Sequence, residues 1–443
     1  MSELDVHKVD RDIARGARAE RGFWRTLRTD ANRAANDAWY EPVRHVTTRA
    51  MFQEVAELRD TDPLRDALLA WIHRLALTRI ARGPIVALAK ARQDPTVHLD
   101  EPETGHHSVR TIVRRVLAEP FEPAKAHAWL EGLGASPSPL LGHEKALRDA
   151  MQEITLRLGV ADASAFAPFD RAVVAQEGEQ LLRRTDDLAA SLFGRTGDLA
   201  GLVAQLVARD VPGVWPTHPD ARWLFDQFQG SPLLQGLTLD LGPTPPALGA
   251  ASFARALARL GAAYARAAVL GGAPFAMSSD PSELHPLRRG ALFASLAADP
   301  LFLRKQLGLS RDAAAAAARA LAATFLAAAR LAAVGATIDG TGASATTIAE
   351  AVEDALKVPV SPSLSGVFPR FCPRAAARLT ASLLARADAA ELKSAFDEDW
   401  FKNPRGLFRL RELDAAPRAP KLPSEALRGS VEALARDLEA LAG

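Results

Sequence analysis

The sequence has one cysteine, Cys372, and two tyrosines, Tyr40 and Tyr264, in 443 residues. A single thiol excludes an internal disulfide, a cysteine-based zinc finger and an iron–sulfur cluster built from this chain alone. It fits a reducing compartment, and a cytoplasmic location is the expectation. Excess charge of either sign is lacking too: 54 Lys and Arg stand against 53 Asp and Glu, a net charge of +1. That balance speaks against a chain dominated by a nucleic-acid-binding field, so no nucleic-acid partner is expected. No run of about 18 uncharged apolar residues occurs, so no membrane span is expected. The nearest stretch, Ala313–Ala329, is mostly alanine and is interrupted by Arg319. The opening residues, MSELDVHKVDRDIARGARAERGFW, mix both charge signs without an apolar segment, so a secretory signal is not expected.

What is present reads as helix. Hydrophobic residues make up 48% and charged ones 24%, which is too apolar for disorder. Ala, Leu, Arg and Glu, the strong helix formers, dominate. Leu64, Leu68, Trp71, Ile72 and Leu75 fall on one helical face, as do Val113, Val116 and Leu117, and Leu199, Leu202, Leu206 and Val207. The best strand candidates, Leu237–Leu241 and Val334–Ile338, are short. Pro- and Gly-rich breaks punctuate the chain at 136–139, 211–219, 242–246, 271–274, 358–362 and 417–423. No fixed-period repeat argues for a solenoid. Residues 312–333, rich in alanine, predict a helix packed inside a bundle. The expectation is an all-α protein with few or no strands, with an N-terminal helical lobe over 1–135 and a C-terminal one over 136–443.

Most catalytic signatures are missing. The one His-Glu pair, His143–Glu144, has Leu147 where a second zinc-binding imidazole would stand. His106 and His107 sit in an apparent polar loop, where adjacent side chains point apart. Gly340-Thr341-Gly342-Ala343-Ser344-Ala345 mimics a dinucleotide-binding turn but lacks a βαβ setting, so it reads as an interhelical loop with Thr346 or Thr347 capping the next helix. Neither a GxxxxGK[ST] loop nor a GxSxG elbow occurs. One cluster stands out: Asp280, Glu283 and His285 lie within six residues, followed by Arg288 and Arg289. It reads either as a metal or acid/base site or as a helix start, with Asp280 or Ser282 as cap and Pro281 in the first turn.

From about residue 220 onward, the order of segments resembles the catalytic half of the thimet oligopeptidase/oligoendopeptidase F zinc metallopeptidases. The likeness rests on Leu257-Ala258-Arg259-Leu260-Gly261-Ala262-Ala263, on Ser279-Asp280-Pro281-Ser282-Glu283 and on the Asp399-Trp400 pair near Pro404. It implies a two-lobed helical architecture around a central cleft. It also implies that Ala258 and Ala262 stand where the family has its zinc histidines, Arg259 where it has its general base, and Ser279 or Asp280 where it has its third ligand. Two methyl groups and a guanidinium can neither hold Zn²⁺ nor take a proton from water. The family's downstream tyrosines also have no counterpart, since none follows Tyr264.

The leading expectation is therefore a catalytically inactive, metallopeptidase-like protein without cofactor or metal. It would act as a binding or structural subunit for a protein or peptide, with Arg288, Arg289, Arg304 and Arg319 as candidate groove residues. The alternatives are a hydrolase whose metal site has moved to Asp280, Glu283 and His285, joined by His218, and a helical interaction module unrelated to peptidases. An oligomer built through Trp400 and Phe401 is compatible with either.

Overall fold

Short polar side chains start the helices. Asp5, Asp30, Asp62, Asp170 and Asp299 each accept a first-turn backbone N–H, satisfying donors that have no partner within the helix. These caps belong to a computed structural model that describes residues 4–59, 62–99, 104–116, 123–135, 140–207, 215–216, 219–229, 231, 233–235, 237, 248–268, 273–338, 342–367, 374–415, 422 and 424–443.

The chain is predominantly helical. The first group of helices is α1 (Val6–Thr29), α2 (Ala31–Ala35), α3 (Arg49–Ala56), α4 (Pro63–Ile80) and α5 (Arg82–Gln93). A hairpin of β1 (Val97–Leu99) and β2 (Gly105–His107) follows. Next come α6 (Val109–Val116), α7 (Pro123–Ala135), α8 (Leu140–Arg157), α9 (Arg171–Arg184), α10 (Asp186–Phe193), α11 (Leu199–Val207) and α12 (Ala221–Gln229). The remainder is α13 (Ala250–Ala267), α14 (Phe275–Ser278), α15 (Leu284–Ser295), α16 (Pro300–Leu307), α17 (Arg311–Ile338), α18 (Ala345–Leu356), α19 (Arg374–Phe396), α20 (Pro404–Ala415) and α21 (Ser430–Ala442).

Three hydrophobic cores hold these elements. The first joins α1 to α5 with Ile154 and Leu158 around α8, and with Ala276 of α14. The stripe read from the sequence, Leu64, Leu68, Trp71, Ile72 and Leu75, is buried there. The second collects buried residues of α5, β1, α6 and α7, such as Leu88, Val97, Ile112 and Trp129, with α9, α17, α18, α19 and α21. The third packs α12, α13, α15, α16 and α20 with parts of α17 and α19. Both of the first two cores therefore cross the expected boundary after Ala135.

The alanine-rich segment is the spine of this arrangement: α17 runs for 28 residues and touches α9, α18, α19 and α21. Among the described residues it is the one helix long and apolar enough to cross a membrane, and 67% of its apolar window is buried inside the protein. Its Arg330 is fully buried and donates to the carbonyl oxygens of Leu182 (2.7 Å) and Ala355 (2.6 Å) and to Asp186 (3.0 Å), tying α17 to helices of the same chain.

Several local expectations are corrected. Val334–Ile338 is the last turn and a half of α17, because the helix-forming context outweighs β-branching in Val334, Thr337 and Ile338. Leu237 is not in a strand, and 238–241 lie outside the described residues, as do Gly340, Thr341 and Cys372. The next helix is capped by Ser344, which accepts the Thr347 N–H at 3.1 Å. His106 and His107 lie in β2, not in a loop.

Candidate functional site

Of the stretches that carry the peptidase resemblance, 257–263 lies in α13 and 279–283 leads into α15, the helix that α13 crosses. One side of α13 carries Phe253, Leu257, Leu260 and Tyr264, all fully buried in the third core. The side toward α15 is lined by small residues, Ala258, Gly261 and Ala262. A Cβ at Gly261 would overlap the Arg289 carbonyl oxygen and lie 2.9 Å from both the Arg289 carbonyl carbon and Phe293 Cγ. Across the seam, a Cβ at Gly290 would lie 2.9 Å from the Ala258 oxygen and 3.7 Å from Ala262 Cβ. The two helices thus meet backbone to backbone, which only glycine at both points permits. Ala258 and Ala262 are half-buried beside this contact, while Arg259 is on the exposed side of α13.

A buried ionic network brackets the seam. Arg289 donates to Asp414 of α20 (2.6 Å) and to Asp388 of α19 (2.5 Å), and Arg288 also pairs with Asp388 (2.7 Å). His285 Nε2 lies 3.3 Å from Asp414. Burial alone would lower the Arg289 pKa, but the Asp414 and Asp388 carboxylates outweigh it and raise it. Burial, reinforced by the Asp414 charge, raises the pKa of the Tyr264 phenol. The expected groove arginines Arg288 and Arg289 are therefore committed to carboxylates inside the protein, whereas Arg304 and Arg319 are exposed.

A second network secures the loop before α15. Asp10 of α1 accepts the backbone N–H groups of Phe275 (2.9 Å) and Ala276 (2.8 Å), the opening residues of α14. Arg74 of α4 grips Glu20 (3.0 Å), donates to the Pro281 carbonyl (2.7 Å) and lies 3.6 Å from Glu283. Trp71 Nε1 donates to the Ser279 carbonyl at 3.3 Å. Glu283 itself, left-handed at φ 64°, also takes Arg266 at 2.6 Å.

Each member of the Asp280 cluster has its own contacts within the protein. Asp280 accepts the N–H of Ser282 (2.8 Å), the Ser282 hydroxyl (2.6 Å) and the N–H of His285 (2.8 Å), so it nucleates α15. Glu283 turns to Arg266 and Arg74, and His285 turns to Asp414. The three donors of the relocated metal site are engaged by different partners, and no group of three or more metal-ligating side chains gathers among the described residues. His218 lies outside the described residues. Ser279 contributes its carbonyl to Trp71 and its hydroxyl to the Phe275 carbonyl at 2.6 Å. Trp400 and Phe401, the expected oligomer contacts, are 1% and 2% exposed and belong to the third core.

The hairpin brings His98 directly opposite His106, with ring centroids 5.0 Å apart, while the neighbouring His107 alternates to the other face. Among the described residues no third metal-ligating side chain joins these two imidazoles, and zinc takes three or four protein ligands.

Sequence reasoning missed Asp388, Asp414 and Arg330. Each lies at three- or four-residue spacing from apolar core positions (Leu384 and Ala385, Leu410, Leu326 and Ala327), and a charge inside such a stripe is the signal that could have found them. Neither models of known protein families nor curated proteins give any match to this chain.

Proposed function

We propose that this chain acts by binding, as a catalytically inactive subunit. In this reading its plan is that of the thimet oligopeptidase/oligoendopeptidase F peptidases, with the zinc helix reduced to a packing element, and its partner is a protein or peptide. The observation that carries the reading is the backbone contact of α13 with α15 at Gly261 and Gly290, flanked by Ala258 and Ala262. A peptidase needs a polarised carbonyl and an activated water. The side chains at the corresponding positions are methyl groups and an arginine, and Asp280, Glu283 and His285 each serve a structural contact.

Metal analysis of protein purified after zinc supplementation, run beside a cleavage assay on a quenched-fluorescent peptide library, tests this reading. The expectation is zinc well below one per chain and no cleavage above buffer. Stoichiometric zinc together with chelator-sensitive cleavage would overturn it.

A further inference from the structure

The near-neutral charge of the whole chain hides a polarised distribution. Residues 1–93 carry 17 Lys and Arg against 13 Asp and Glu, while the rest of the chain carries 37 against 40. Within that basic part, α1 sorts its charges by face. Its acidic residues all turn toward the protein. Asp10 (8% exposed) accepts two N–H groups of α14, and Asp12 (6%) takes Arg15 and His45, each at 3.0 Å. Glu20 (1%) accepts Trp24 Nε1 at 3.2 Å, Arg74 at 3.0 Å and the Thr78 hydroxyl at 2.6 Å.

Lys8, Arg11, Arg15 and Arg18 form a row on the outer side of α1, at steps of three and four residues. All four are exposed, Arg15 by 70%. Further along, Arg25 and Arg28 engage other groups of the chain, so the row ends at Arg18. Exposed cations on α8 and α9 alternate with acids one turn away, Lys145 with Asp149, Arg157 with Glu153 and Arg183 with Glu179. The outer row of α1 has cations in succession instead, an arrangement that opposes helix formation and that a polyanion would relieve.

The remaining features of the row choose among polyanions. Its apolar neighbours Val9, Ile13, Ala17 and Phe23 are buried in the first core. A helix that lies on a membrane needs its apolar face for the lipid. A protein partner needs an apolar centre to the contact, and a single nucleic-acid strand needs exposed rings on which its bases stack. The backbone of a duplex asks only for positive charge and hydrogen-bond donors, and the guanidinium fork matches phosphate oxygens two at a time. At about 1.5 Å per residue the row spans about 15 Å, the axial length of about four phosphates of one strand.

We infer that the outer face of α1 docks on the phosphate backbone of double-stranded nucleic acid, without regard to base sequence. Lys8, Arg11, Arg15 and Arg18 contact successive phosphates, and His45, 54% exposed and held by Asp12 beside Arg15, flanks them. The inference stands independently of the peptidase reading.

Fluorescence anisotropy of a labelled DNA duplex of about 20 base pairs, titrated with the full chain between about 50 and 200 mM salt, provides the test. Saturable binding is expected, with a log–log salt slope of about −3 to −4. R11Q/R15Q/R18Q should weaken it about tenfold or more at the lowest salt and flatten the slope by about 2 to 3, whereas R11K/R15K/R18K should keep the slope. K145Q/R157Q/R183Q removes the same charge from α8 and α9 and should change affinity less than about twofold. Melting temperatures of the triple variants check that each is folded. Absence of saturable binding, or equal weakening by the two glutamine variants, would overturn the site. Tighter binding of a single strand, of polyglutamate or of phosphatidylserine vesicles, lost in R11Q/R15Q/R18Q, would overturn the duplex assignment.

Discussion

Replacing Gly261 by alanine probes the seam with a single carbon atom. In an unobstructed helix the change is favourable by about 1 kcal/mol, because alanine loses less backbone entropy than glycine. Here the new methyl overlaps the Arg289 carbonyl oxygen and comes within 2.9 Å of the carbonyl carbon and of Phe293 Cγ. Two of these three atoms are backbone and cannot rotate away. Restoring ordinary contact means moving α15 by roughly half an ångström to an ångström, and a gap of that size forfeits a quarter to a half of each dispersion contact along the interface. Overpacking of this kind costs about 1–3 kcal/mol, and a backbone obstacle puts Gly261→Ala at the upper end. The net expectation is destabilisation by about 1–2 kcal/mol. Gly22→Ala is the matched control. It sits inside α1 with nothing within 4 Å of the new methyl, and it should stabilise by up to about 1 kcal/mol. Urea midpoints at equal m-values measure both. If Gly261→Ala shifts the midpoint upward, in the same direction as Gly22→Ala, the account of a glycine-dependent backbone contact is wrong.

Two further outcomes follow from buried ionisable groups. His73 is 4% exposed, lies 3.0 Å from the Thr155 hydroxyl and stacks near Phe166, and burial pushes its pKa down to about 4. From its ordinary value near 6.5 down to that value, the unfolded chain binds the proton and the folded one does not. Stability is therefore full above about pH 6.5 and falls by up to about 3 kcal/mol as the pH drops to about 4. His73→Gln should flatten that part of the profile, and an unchanged slope in urea midpoints from pH 7.5 to 4.5 would count against it. Arg330→Met should cost about 3 kcal/mol or more by stranding the buried carbonyls of Leu182 and Ala355. Asp186→Asn should cost below about 1 kcal/mol, since that carboxylate is 48% exposed. Comparable losses in the two variants would show that the ion pair, and not the carbonyl contacts, carries the anchor.

The helices were legible because their signals are local. The Leu64–Leu75 stripe needs only 3.6-residue periodicity, and Asp280 reads as a helix start because a carboxylate next to Pro-Ser can accept N–H groups a few residues on. The hairpin was not legible: three-residue strands carry too little alternation, and His106 looks like a loop residue until His98 is placed opposite it. Nor were the partners of Arg288 and Arg289, which are supplied from 99 to 125 residues away. Periodicity announces a buried charge, but nothing in it names the counter-ion. The seam was half legible, since Gly261 flanked by alanines predicts close approach, whereas Gly290 as the facing residue had to come from the fold.

The carboxylate of Asp10 has a consequence for how the molecule comes into being. It caps a short turn that lies 265 positions further along the polypeptide, and Trp71 and Arg74 reach the same neighbourhood from the first core. On the ribosome, α1 is completed long before the segment it must hold exists. The loop that launches α15 therefore takes its scaffold from a segment translated 265 positions earlier.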